Sequence, residues 1–171
     1  MTRPDADNSI ERGPLTAFQV AITTTAPPEF VARWWTDYRE DDTKLSDDLR
    51  VRTVDRKDPQ HLRITSELVV AGRPVRIEGT VSILSPTAWS MDGTLFVRGR
   101  PFGREQVEFT VEPASGGSVL VAHFQFKGRN ALNGLILWVI HRSIRAGREK
   151  AYREYARHIN EDFAAQRGKA G

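Results

Sequence analysis

From Thr16 the apolar residues fall into alternation. Phe18, Val20 and Ile22 stand between Gln19, Ala21 and Thr23, the period-two pattern of a half-buried strand. Residues 1–15 carry Pro4, Asp5, Asp7, Asn8, Gly13 and Pro14 with no apolar period, and read as a flexible tail. After the strand, Pro27-Pro28 suits the first turn of a helix, where a missing N–H does no harm. Phe30, Trp34 and Tyr38 recur at a four-residue stride, with Val31 and Trp35 beside them. That spacing predicts a short amphipathic helix with an aromatic face.

The middle of the chain is a run of alternating segments. The inward sets are Leu49, Val51 and Thr53; Leu62 to Val70; Val75 to Ile83; Trp89 to Val97; Val107, Phe109 and Val111; and Leu120 to Phe126, each taken at every second residue. Short breaks rich in Gly, Pro, Asp and Ser separate them, such as Asp58-Pro59, Ser85-Pro86 and Ser115-Gly116-Gly117. Connections this short join antiparallel neighbours only. A six-stranded meander with one apolar face follows, and that face needs a cover.

The last third supplies it. Residues 131–163 have helix-forming composition and no proline, enough for roughly 50 Å of helix. Leu132, Leu135, Ile136, Val139, Ile140 and Ser143 share one side of its first half. Later the stripe runs through Ile144, Ala151, Tyr155, Ile159 and Phe163, a drift that a curved sheet or a bend near Gly147 would explain. Leu137, Trp138 and His141 fall on the opposite side. Left exposed, they would form a partner surface or a weak membrane-docking patch. Residues 166–171 read as a frayed end.

Composition narrows the function classes. The 171 residues suit one domain, residues 16–165, with an apolar fraction of 39%. There is no cysteine, which removes disulfides, thiolate metal sites and thiol nucleophiles. With no apolar leader visible, the expected compartment is the cytoplasm. The longest apolar stretch, Leu132 to Ile140, is far short of the roughly 20 residues a membrane span needs. Net charge is only +3. The acidic block Asp37 to Asp48 and the basic block Arg142 to Arg157 read as solvated faces.

The element order is strand, short helix, six meandering strands, long helix. It resembles the START-related SRPBCC superfamily, with its polyketide cyclase/dehydrase-like and birch-pollen-allergen-like members. The residues that carry the resemblance are Phe18-Gln19-Val20-Ala21-Ile22, then Ala26-Pro27-Pro28-Glu29-Phe30-Val31, then Trp34-Trp35-Thr36-Asp37. It implies an α+β helix-grip fold: a seven-stranded curved antiparallel sheet around a long C-terminal helix, with one or two short helices after the first strand. It also implies an apolar cavity between sheet and helix. Here Tyr38 leads into a polar segment where the family often continues with an aromatic and a proline.

The expected wall of that cavity is Trp35, Tyr38, Ile64, Ser66, Ile77, Gly79, Trp89, Met91, Phe109 and Phe124 from sheet and short helix, with Leu132, Ile136 and Val139 from the long helix. The inward surface looks almost free of ionisable groups; its polar members are Thr53, Asp55, Ser66, Asn133, Ser143 and Tyr155. Glu78, Asp92 and His123 are expected to face solvent. Ser66 and Tyr155 are the best polar candidates for touching a substrate. The four histidines lack metal-ligand spacing, so neither a metal nor a cofactor is expected. Arg98, Arg100 and Arg104 mark a basic hairpin with no phosphate-loop pattern. The expected partner is a lipid-like, polyketide or other polycyclic molecule. A polyketide cyclase or dehydratase is the enzymatic alternative, and an interaction module using the basic helix is a third. No aromatic-basic interleaving points to nucleic acid, and the oligomeric state is left open.

Overall fold

A single antiparallel sheet takes the strands in the order β1-β7-β6-β5-β4-β3-β2. The computed structural model describes residues 15–38, 40–45, 49–70 and 72–169. Residues 1–14 of the expected tail and residues 170–171 lie outside them. The strands are β1 (Leu15–Thr24), β2 (Leu49–Asp58), β3 (His61–Val70), β4 (Arg73–Ser85), β5 (Ala88–Val97), β6 (Arg100–Ala114) and β7 (Gly117–Gly128). Helix α1 (Pro28–Thr36) and a 3-10 helix (Glu40–Lys44) separate β1 from β2, and α2 (Ala131–Lys169) closes the chain. This is an α+β helix-grip fold.

Local chemistry places the turns. The β5–β6 hairpin turns at Arg98 and Gly99, with φ of 52° and 73°. Two positive values in succession match the right-handed twist of the flanking strands. Asn130 starts α2: its side-chain oxygen accepts from Asn133 N–H at 2.9 Å and its carbonyl from Gly134 N–H at 2.9 Å. The helix is seated there by glycine. A Cβ on Gly128 would lie 2.1 Å from the Gly134 nitrogen, so only a bare backbone lets β7 and α2 meet this closely.

Alternation buries one face of β3 to β7, including Ile64, Ile77, Leu95, Val107, Phe109, Leu120 and Phe124. Glu78, Asp92 and His123 are exposed. The first strand of the meander departs from expectation. The β2–β3 pairing shifts between Leu49 and Val51. One extra residue flips every side chain after it. Val51, Thr53 and Asp55 are therefore exposed, while Arg52 and Val54 turn toward the protein.

The face assigned to the first half of α2 is also reversed. Leu132 is 66% exposed, Val139 64% and Leu135 51%. The buried residues are Gly134, Leu137, Ile144, Tyr152, Ala156 and Ile159. At 100° per residue these form one stripe about 120° wide, so no drift needs explaining. The helix runs unbroken through Gly147 to Lys169. Seating Gly134 against Gly128 fixes the helix rotation and turns Leu132 and Val139 outward. Of the opposite side, Leu137 is buried and Trp138 is exposed.

The second half of α2 is clamped to the start of the chain. Trp34 Nε1 donates to Asp162 at 2.7 Å, and Thr25 N–H donates to Asn160 at 2.8 Å. Phe30 meets Phe163 edge-on at 5.1 Å. Between the seat of Gly134 on Gly128 and this clamp, sheet and helix part.

Candidate functional site

Between the sheet and the middle of α2 lies a cavity of about 560 Å³. Its walls are aliphatic and aromatic: Leu68, Val75, Ile77, Leu95 and Phe126 from the sheet, with Leu137, Ile140, Ile144 and Ala151 from the helix. Toward α1 it meets a smaller chamber of about 90 Å³. Leu68, Ile77, Arg148, Tyr152 and Tyr155 line both spaces. The polar groups sit at the junction and the greasy volume lies on one side of them.

Of the residues expected in the wall, Ile77 and Ile136 line the larger cavity. Trp35, Tyr38, Ile64, Ser66, Ile77, Met91, Phe109 and Phe124 line the smaller chamber. Ile136 borders the larger one at its mouth while 39% exposed. Leu132 and Val139 do not belong, because they point to solvent. Trp89 lies behind the wall, stacked on Phe109 at 4.9 Å and 9°. Gly79 opposes Gly93 in the β4–β5 pair. A Cβ on Gly79 would come within 3.0 Å of the Asp92 carbonyl, so these glycines serve close backbone approach and add no cavity space.

The expectation of an uncharged interior is overturned. Glu105 is fully buried, and its carboxylate accepts from Arg148 at 2.7 Å. Its second oxygen, Oε2, is buried with no hydrogen-bond partner. Arg148 also lies over the Phe124 ring at 5.4 Å. Burial pushes the Glu105 carboxyl above the ordinary range, and the Arg148 guanidinium only partly pulls it back. Such a group can hold or release a proton nearer neutrality than a surface carboxylate. Burial likewise raises the Tyr152 phenol well above its usual value, so it stays a neutral donor.

A second polar group closes the other end of the small chamber. The bulge in β2 turns Arg52 inward, where it pairs with Asp42 at 2.6 Å and donates to Ser66 Oγ at 3.4 Å. Its guanidinium lies 5.2 Å from the centre of the Tyr38 ring. Tyr38 is pushed up to about 12 by burial, against the opposing charge of Arg52. Arg56 donates to the Tyr38 carbonyl at 3.1 Å and holds the end of the aromatic segment in place. Ser66 thus sits inside a charged network. Tyr155 stands at the junction, edge-on to Trp35 at 5.2 Å and 89°. Thr53 and Asp55, expected inward, are exposed.

Among the described residues no group of three or more His, Asp and Glu could hold a metal. No described helix is long and apolar enough to cross a membrane.

A family model described as polyketide cyclase/dehydrase and lipid transport matches residues 16–159. No curated protein sequence matches the chain. Among solved structures, the fold is similar to the Zhui aromatase/cyclase from Streptomyces sp. R1128, with a TM-score of 0.68, 12% identity, and 84% of this chain and 94% of that one covered. It is similar to a START superfamily protein from Mycobacterium smegmatis, at 0.62 and 10%, covering 85% and 98%. The di-domain ARO/CYC StfQ from the steffimycin biosynthetic pathway matches at 0.70 and 10%, covering 91% of this chain and 54% of that one. At these identities the likeness is one of fold.

Proposed function

The chain belongs to the polyketide cyclase/dehydrase and lipid transport family, and from that premise we propose that it binds an apolar small molecule between sheet and long helix. The molecule is lipid-like, a polyketide or another polycyclic compound. The observation that carries this reading is the apolar cavity of about 560 Å³ with a polar junction at one end. A ligand site needs that combination of greasy volume and few placed polar groups. The ligand's apolar body fills the cavity. A hydroxyl on it donates to the unmatched Oε2 of Glu105, and a neighbouring carbonyl oxygen accepts from Arg148. That contact satisfies a buried acceptor, whose isolation otherwise costs about 1–3 kcal/mol.

The raised Glu105 carboxyl favours a second reading, that of a dehydratase acting on a β-hydroxy carbonyl chain. Ionised Glu105 takes the proton on the carbon beside the carbonyl, and Arg148 steadies the oxygen that gains charge. The carbon–carbon double bond forms as the β-hydroxyl leaves with that proton as water. Tyr155 orients the chain at the junction, and Ser66 does so from the far end of the small chamber. No cofactor is required for either reading.

Two measurements test the binding reading. Native mass spectrometry of protein from its own host should show a co-purifying apolar compound. Ala151→Phe, which places a ring in the cavity, should keep most of the melting temperature. It should weaken uptake of an apolar fluorescent dye by at least about tenfold, since filling a void costs less than overpacking a core. An intact fold with unchanged dye affinity would remove the cavity as the binding site.

A further inference from the structure

We propose that the end of the molecule around the start of α2 docks on an anionic bilayer surface, with the cavity mouth turned toward the lipid. Five large apolar side chains stand exposed there on one helix face: Leu132 at 66%, Val139 at 64%, Trp138 at 56%, Leu135 at 51% and Ile136 at 39%. At 100° per residue they sweep one continuous arc in the order Trp138, Leu135, Val139, Leu132, Ile136, about 160° wide. Arg142 falls between Trp138 and Leu135. A patch this contiguous is unusual on a surface meant only for water.

The arc runs into the cavity. Ile136, its last member, is also a wall of the cavity mouth, opposite Val70, Arg73, Val97 and Phe102. Those residues lie on the β3–β4 and β5–β6 hairpins. Strand register brings both hairpins to the end where α2 begins, through Val75↔Val97 and Gly103↔Gly128. Asn133 Nδ2 donates to the Phe102 carbonyl at 2.9 Å and ties the helix to that hairpin. Exposed apolar surface and the opening into apolar volume are therefore one feature.

Charge selects the occupant. Arg73, Arg98, Arg100, Arg129 and Arg142 surround the patch and are exposed. Among the described residues none of these five makes an ion pair. Between Glu112 and Glu149 the sequence has no Asp or Glu, so the first turns of α2 carry no anion to offset them. A second copy seated on this face through a twofold axis would bring two such rims together, and like charges would oppose it. An anionic lipid surface attracts the rim instead. The arginine stems can lie along apolar surface while their heads stay among the headgroups. Trp138 has the apolar ring and N–H that suit this boundary. A helix lying in the interface rather than crossing it uses this pattern of apolar face and basic flank.

The test is co-sedimentation of the full chain, without added ligand, with vesicles of phosphatidylcholine alone or with one third phosphatidylserine. Binding should be at least about tenfold tighter to the anionic vesicles and should weaken as salt is raised through the range that shortens screening to about 8 Å. Leu135→Asp with Val139→Asp should abolish binding while keeping the melting temperature and dye uptake from water, because neither side chain lines the cavity. Arg98→Glu with Arg100→Glu should remove the preference for anionic vesicles. Failure of the wild-type chain to sediment with anionic vesicles would overturn the proposal. So would unchanged binding by the Leu135→Asp, Val139→Asp variant. A wild-type dimer in sedimentation equilibrium that becomes monomeric in that variant, with no lipid binding by either, would assign the face to self-association instead. Loss of dye uptake by Ala151→Phe would bear on the cavity alone and leave these outcomes untouched.

Discussion

Glu105 gives up all contact with water and receives one charged hydrogen bond in return. Removing Arg148 would strand it. Arg148→Met should therefore cost about 3 kcal/mol in urea denaturation, at the low end for a broken buried pair because Arg148 keeps 23% of its side chain exposed. Glu105→Leu combined with Arg148→Met should recover most of that loss, since an apolar pair leaves nothing unsatisfied. The carboxyl also carries a pH signature. Its folded value lies above the ordinary 4.5, so the folded state holds the proton to higher pH than the unfolded chain does. The stability this provides is complete below about pH 4.5 and is lost as pH rises through the folded value. The wild-type stability minus that of Glu105→Gln should fall as pH rises above about 4.5 in denaturation curves. A difference that rises over that range would show that Arg148 holds the carboxylate ionised. The position was legible in the sequence, because Glu105 shares the parity of Val107, Phe109 and Val111. Only ending the inward set at Val107 hid it. Arg148 was not legible, since its place depends on the rotation of α2.

Two elements show what period alone leaves undetermined. In β2, Val51 and Thr53 alternate as an inward pair should, yet a bulge after Leu49 sends them out. The sequence there splits its apolar residues between the two registers, Leu49 and Val51 in one and Val54 in the other, with charges in both, so period alone does not choose. Val51→Thr should shift stability by no more than about 0.5 kcal/mol, as at other exposed sites. Arg52→Ala should cost about 1.5–3 kcal/mol, because it removes a charge-assisted bond to the half-buried Asp42. Equal effects in thermal melts would place the bulge elsewhere. In α2, apolar residues occupy nearly the whole circumference over residues 132–140, so no face stands out. The close approach of Gly128 and Gly134 decides it, and that is a contact between distant parts of the chain. Gly128→Ala should cost about 1–3 kcal/mol by forcing the helix start off the sheet.

At the scale of the molecule, the sheet order and the covering helix were legible because short breaks permit only antiparallel neighbours. The aromatic wall of the smaller chamber was legible too, since Trp35, Ile64, Ser66, Ile77, Met91 and Phe109 follow from strand and helix period. The cavity's shape was not, because it comes from where sheet and helix separate. The same topology also sets an order of events during synthesis. Strand β1 leaves the ribosome before the other strands but pairs with β7, Leu15 against Lys127, and the face of the meander that Trp35 of α1 does not cover waits for residues 131–169. Until β7 and α2 are made, the sheet has an unpaired inner edge and a largely bare concave surface. Non-local pairing of this kind forms slowly and leaves apolar surface open to association. A nascent chain stalled at Gly128 should therefore engage holding chaperones strongly. Emergence of the full helix should end that engagement, because α2 covers the apolar surface that the strands leave bare.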